Sequence, residues 1–255
     1  MKIPLEKCET GGTLCANREV GSLINKENRH ILANFDSLLG KLHDGFLMMA
    51  NLTERNLKNS MEGFFRRDDD FCTQTIADEE EIDQIEKQID QDGMEIIRRF
   101  QPVASDLRQV LATMKLSSHL ECISDQAVSI AKRSRKLNQA PLFEEARRLE
   151  PMFREAIEMV KDAVGGFLNH DVEIAHSIRQ RDKRLDQLNR ETADFFASCM
   201  TENTERITDL VNLLLIGRHL ERIGDHAKNI AEEAVFAASA EDIRHPRLSR
   251  AFQAA

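Results

Sequence analysis

The sequence predicts an all-α fold: two tandem, pseudo-symmetric, antiparallel three-helix bundles. Three observations carry this. Apolar residues recur at steps of three and four along most of the chain, the mark of helices with one buried stripe. Helix breakers are scarce, with Gly 11 and Pro 5 in 255 residues. A thirteen-residue stretch also occurs twice. HLECISDQAVSIA (119–131) returns as HLERIGDHAKNIA (219–231), identical at eight positions. Strand patterns of β-branched alternation between turns are absent from the sequence, and Phe supplies all the aromatic bulk, since Trp and Tyr are both 0.

Each element has its own justification. Residues 1–25 carry Gly11, Gly12 and Gly21 in an irregular pattern and are expected to form a flexible extension. From about residue 28, Ile31, Phe35, Leu38, Leu42, Phe46 and Met49 form one stripe, predicting a helix to about Arg67. The acids of 68–70 suit a cap and first turn. A second helix follows with Ile82, Ile85, Ile89, Ile96 and Phe100, and stops at Gln101 because Pro102 disfavours helix in the residue before it. Ser105 is the expected N-cap of a third helix, which runs to about Leu137.

The cycle then repeats. Pro141 is placed to open a short helix and Pro151 falls in a first turn. Phe153, Ile157, Val160, Val164 and Phe167 make the next stripe, weakened near its end by Gly165 and Gly166. A fifth helix is expected from about Asp171 to Met200, a turn at TENTE (201–205), and a sixth helix to about Ala238. The predicted divisions are therefore an extension at 1–25, repeats at 26–138 and 139–245, and a tail at 246–255.

Composition excludes several function classes. The net charge is −9, against the basic face that nucleic acid requires. The run KRSRK (132–136) is short and ends a helix, where cations are favourable in any case. Five scattered Cys without a CxxC argue against a disulfide framework or zinc knuckle. The start lacks the apolar core of a signal peptide, and the longest apolar run, LLLIG, is too short to span a bilayer. A reduced cytoplasmic setting is the expectation.

The repeated stretch holds acids four apart, Glu121 with Asp125 and Glu221 with Asp225, so each pair lies on one helix face. Each continues a line that begins apolar, through Leu107, Leu111 and Met114 or Ile207, Val211 and Leu214. Two more pairs match them: Glu79 with Asp83, and, 103 residues later, Asp182 with Asp186. Asp83 and Glu121 are centred on position 102, as are Glu79 and Asp125. Asp186 with Glu221 and Asp182 with Asp225 are centred on 203.5. Both centres fall in predicted turns. Because antiparallel helices rise equally per residue, the acids of each hairpin should stand level.

Four close carboxylates raise one another's pKa, and a cation relieves that cost. All-oxygen ligation suits Mg, Ca or Mn, and carboxylate clusters in helical bundles also hold iron. A solvated, salt-bridged face is the alternative. Arg218 and Lys228 stand three residues from Glu221 and Asp225, whereas Ser118 and Val128 occupy the equivalent places in the first repeat. ExxH spacings at Glu27–His30 and Glu173–His176 match the motif of di-iron bundles but lack mirrored acids. His119, His219 and His226 lie off the acid line and are expected to pack between helices. No phosphate loop or nucleophilic triad is present in the sequence.

At EEEIDQIEKQI (79–89), FQPVASDLRQVLATMK (100–115), ECISDQAVSIA (121–131) and ERIGDHAKNIAE (221–232) the chain resembles the PhoU family of phosphate-uptake regulators. The resemblance covers roughly 28–245. It implies two three-helix bundles and metal at Glu79, Asp83, Glu121 and Asp125, then Asp182, Asp186, Glu221 and Asp225. Iron comes first, with Mn, Mg or Zn as alternatives. Cys122 and Ser124 depart from the Arg and Gly kept as Arg222 and Gly224. The family role implied is a non-enzymatic, cytoplasmic and commonly homodimeric regulator. It links the ATPase subunit of a phosphate ABC transporter to a sensor histidine kinase, and meets the membrane only through those partners. A metal-dependent enzyme (ferritin-like oxidase or phosphohydrolase) and a metal-free helical adaptor are the competing readings.

Overall fold

A computed structural model describes the backbone at residues 13–140 and 144–244, and side chains from residue 33 onward. The described residues are helical and contain no strand. Helix α1 spans Thr13–Phe65, α2 Asp69–Ala77, α3 Glu79–Phe100 and α4 Ala104–Leu137. A 3-10 segment at Glu144–Leu149 leads into α5 at Glu150–Leu168. Helix α6 spans Ile174–Glu202, a 3-10 turn covers Thr204–Arg206, and α7 spans Ile207–Ser239.

The two expected bundles are present. Helices α1, α3 and α4 pack together, with α2 against α1 and α4, and α5, α6 and α7 form the second set. Their joint is α4 against α7, with α1 also reaching α5. The stripe read from the repeat is the buried one. Leu120, Ile123, Ala127 and Ile130 are fully buried, as are Leu220, Ile223, Ala227 and Ile230. One contiguous apolar core runs through both bundles, and aromatic rings stitch them together. Phe46 meets Phe167 edge-on at 5.1 Å, while Phe153 stacks on Phe64 at 5.7 Å and meets Phe65 at 5.5 Å.

Several boundaries differ from expectation. Helix α1 already begins at Thr13, inside the segment expected to be an extension. A lone interior glycine such as Gly21 costs a helix only about 1 kcal/mol, and Val20, Leu23 and Ile24 extend the apolar pattern. Residues 1–12, the tail from 245 and the opening expected at Pro141 lie outside the described residues. The second predicted helix divides at Asp78, which is buried and accepts a 2.8 Å hydrogen bond from Arg55 Nη2. That charged contact with α1 holds the residue at the division. Ser105 does not cap α4. It lies inside the helix after Val103, with its hydroxyl on Asp106 at 3.4 Å. The start of α6 moves to Ile174 because Asp171 Oδ1 accepts the Glu173 amide at 2.9 Å and holds a turn.

Close approach of helices explains two glycines 103 residues apart. A Cβ on Gly63 would stand 2.5 Å from Cys72 Sγ, 3.1 Å from the Asp68 carbonyl oxygen and 3.2 Å from the Cys72 amide nitrogen. A Cβ on Gly166 would run into the side chain of Ile174. Gly63→Ala is therefore expected to cost about 1–3 kcal/mol, because backbone atoms must move. Gly165→Ala, with nothing within 4 Å of the new carbon, is expected to be neutral or stabilising by up to ~1 kcal/mol. Urea denaturation of the two variants checks the pair.

Candidate metal centres

The hairpin of α3 and α4 brings the first four acids into one electrostatic group. Burial raises the Asp125 carboxyl above its ordinary range. The charges of Glu79 and Asp83 add to the rise, and Lys132 opposes it. Burial also raises Glu121. A hydrogen bond from the Cys122 thiol opposes this, and Asp125, Glu86 and Asp83 add to it. The same surroundings push the Cys122 thiol up to about 11, so it stays protonated. Lys132 Nζ, itself about half exposed, reaches Glu79 at 3.6 Å.

Glu86 is a member that acid spacing alone passes over. It faces Ser118, whose hydroxyl donates to Glu86 Oε1 at 2.7 Å. A signal does exist in the sequence, because 86 and 118 are also centred on 102. Ser118 is not an acid, however, and a pattern of paired carboxylates does not include it.

The hairpin of α6 and α7 groups its acids too, with a different charge balance. Lys228 Nζ donates to Asp182 Oδ2 at 2.7 Å and to Asp225 Oδ1 at 2.9 Å, bridging the two helices. Arg218 Nη1 is 2.7 Å from Glu221 Oε2, off the line of a hydrogen bond. Burial raises Asp182, Lys228 opposes the rise, and Asp225 and Asp186 reinforce it. Glu221 is raised by burial, held back by Arg218, and raised further by Asp225, Asp186 and Asp182. The local spacing identified Lys228 as a neighbour of Asp225, but its reach across to Asp182 needs the packed hairpin.

The donor set of the first hairpin is all oxygen and fits a hard cation. It is not gathered for one: among the described residues no three His, Cys, Asp or Glu side chains converge on a point that could hold an ion. In the second hairpin the Lys228 ammonium already fills the position between Asp182 and Asp225. The ExxH spacings do not join either group. His176 pairs with Gln180 at 2.8 Å, and the side chains of Glu27 and His30 lie outside those described.

The histidines occupy the seam between the bundles, off the acid line as their helical positions predict. His119 Nδ1 and His226 Nδ1 are 3.2 Å apart, so one ring donates and the other accepts. His219 Nδ1 donates to Gln126 Oε1 at 2.9 Å, and its Nε2 accepts from Arg133 Nε at 3.3 Å. This arrangement requires neutral His219. Burial lowers its pKa from 6.5 to about 4, helped by Arg133 and Arg222.

The sign of the linkage is fixed by that direction. Between 6.5 and about 4 the unfolded chain binds the proton and the native one does not, so stability falls as pH falls through that window. The His219 share is about 2 kcal/mol, allowing for partial solvent access. A His219→Gln variant is expected to lose less stability than the wild-type chain between pH 7 and pH 4, as measured by urea midpoints.

Comparison with known proteins places these features. The family model described as the PhoU domain matches twice, over residues 46–134 and 149–234. A "Phosphate-specific transport system accessory protein PhoU homolog" from Xylella fastidiosa (strain 9a5c) is 33% identical over 220 residues, 86% of this chain and 93% of that protein. The homolog of the same name from Pseudomonas aeruginosa is 31% identical over 234 residues, covering 89% and 96%. Among solved structures, PhoU from Pseudomonas aeruginosa superposes with a TM-score of 0.78 at 28% identity, covering 81% of this chain and 100% of that one. The "phosphate transport system regulatory protein PhoU" from Streptococcus pneumoniae gives 0.74 at 27%, covering 82% and 99%.

Proposed function

Because the chain belongs to the PhoU family, we propose that it is a regulatory accessory protein of phosphate transport that acts by protein contact rather than by turnover. The observation that carries this is the family match over both repeats, which together include all eight acids. No helix among the described residues is long and apolar enough to cross a membrane, which suits a cytoplasmic protein that reaches the membrane through partners. Those partners are the ATPase subunit of a phosphate ABC transporter and the sensor histidine kinase of the same response. The chain works as a homodimer.

The first acid group, Glu79, Asp83, Glu121 and Asp125, serves as a cation site. Iron, Mn or Mg would be held by these carboxylates after side-chain rotation and would supply charge neutralisation and rigidity. What supports this is the electrostatic strain at Glu121 and Asp125, which Lys132 relieves only at Asp125 and only in part. The equivalent group, Asp182, Asp186, Glu221 and Asp225, takes a cation only in competition with Lys228.

Pull-down at physiological salt tests the partner reading. Retention of the transporter ATPase or the kinase is expected, and binding to neither overturns it. Light scattering tests the dimer, and assay of a generic phosphate ester should show no turnover.

A further inference from the structure

A cleft of about 380 Å³ opens where the two bundles meet, between the ends of α1 and α4 and the start of α5. Its apolar lining is Met61, Phe64, Phe65, Leu137, Ala146 and Leu213. Three of these are buried, and Phe65 is only partly covered. Three guanidinium groups line the same cleft, Arg67, Arg147 and Arg154, against two carboxylates, Glu62 and Glu150.

Both carboxylates are already engaged. Glu62 pairs with Arg66, which is outside the cleft lining. Arg154 Nη2 and Nε donate to Glu150 Oε1 at 2.6 and 3.1 Å. That leaves two cations, Arg67 and Arg147, with no ion pair among the described residues. Arg67 is fixed by donating to the carbonyls of Asn138, at 2.6 Å, and Ala140. Carbonyls orient a guanidinium but do not neutralise it. Arg147 has no hydrogen bond or ion pair among the described residues, and it is exposed at the rim.

A cleft with an aromatic floor and uncompensated guanidinium groups has the chemistry of a small-molecule site for an amphipathic anion. We infer that it binds a small organic anion, a carboxylate or phosphate ester with a planar apolar body. The anion pairs with Arg147 and Arg67, whose planar forks suit carboxylate and phosphate oxygens. The planar body lies against the uncovered part of Phe65. Inorganic phosphate alone would leave the apolar floor unused, and an uncharged ring system would leave the cations unpaired. The site stands apart from the acid groups; Leu137, Asn138, Ala146 and Arg147 fall between the two segments matched by the family model, and the rest of its lining lies within them. It draws on both bundles, so an occupant would clamp them together.

Isothermal titration with AMP, adenosine and inorganic phosphate tests the inference on the full chain. Saturable AMP binding is expected, with adenosine and phosphate each at least about tenfold weaker, the scale set by one charge-assisted hydrogen bond. Arg147→Ala, which breaks no hydrogen bond or ion pair within the described protein, should weaken AMP about tenfold and leave the melting temperature unchanged. Ala146→Phe should fill the cleft and abolish binding. Absence of saturable AMP binding, adenosine binding as tightly as AMP, or AMP binding unchanged in Arg147→Ala would each overturn the inference. Because these variants leave the acids untouched, their response to cations and transporter partners is read independently.

Discussion

In EDTA at pH 7, the Glu121→Gln/Asp125→Asn variant is expected to melt no lower than the wild-type chain, and to lose the stabilisation that Mn²⁺ gives the wild type. Both carboxyls have raised pKa values in the folded protein. A raised carboxyl contributes stability below its unfolded pKa and loses it as pH rises through the folded one, so at pH 7 the ionised pair is a burden. Neutral isosteres remove that burden. In the wild type a cation does the same work: at one hundred times its dissociation constant it adds about 2.7 kcal/mol, or roughly 5–10 °C for a chain of this size.

The second hairpin gives the converse. Lys228 bridges Asp182 and Asp225, so Lys228→Gln is expected to lower the melting temperature in EDTA and to create a Mn²⁺ response. Thermal scans with and without Mn²⁺ decide both. A wild-type chain indifferent to Mn²⁺, Mg²⁺ and Fe²⁺ would sink the cation reading and leave the solvated-face alternative.

Phe153→Ala carries the largest expected cost to folding, about 3–5 kcal/mol. The ring is fully buried and belongs to the second bundle, yet it touches Phe64 and Phe65 of the first. Its removal leaves a cavity at the joint and breaks up aromatic pairs worth about 0.5–1.5 kcal/mol each. The melting temperature should fall by roughly 10 °C. Calorimetry adds a second readout: with one continuous core the wild-type chain should unfold in a single transition, and weakening the joint should broaden or split it. A cost under about 1 kcal/mol would mean the two bundles do not depend on this ring.

Gly63 and Gly166 keep the 103-residue offset of the acid pairs because each lets the following helix approach closely. Cys122 and Arg222 do not match, and this difference has a consequence. Burial lowers the pKa of His219 and His226 and Arg222 adds to both, whereas Cys122 remains an uncharged thiol beside Glu121. The seam is therefore electrostatically lopsided although the two stretches that form it, 119–131 and 219–231, are identical at eight positions.

The sequence by itself determined the all-helical class, the order of the long helices, the duplication and the mirrored spacing of the acids. These rest on periodicity and on equal rise per residue, properties a linear pattern encodes directly. The buried faces of α4 and α7 follow from the same pattern. Only the tertiary structure decided which charges compensate which. Lys228 reaches Asp182 on a neighbouring helix, Glu86 joins the first group through Ser118, and Asp78 divides a predicted helix because Arg55 of α1 meets it. The cleft lined by Arg67 and Arg147 likewise has no linear signature, since its lining comes from four helices, a 3-10 segment and the turns at Arg67 and Asn138. Electrostatic partnership depends on distances of a few ångströms between side chains far apart in sequence, and those distances exist only once the bundles have packed.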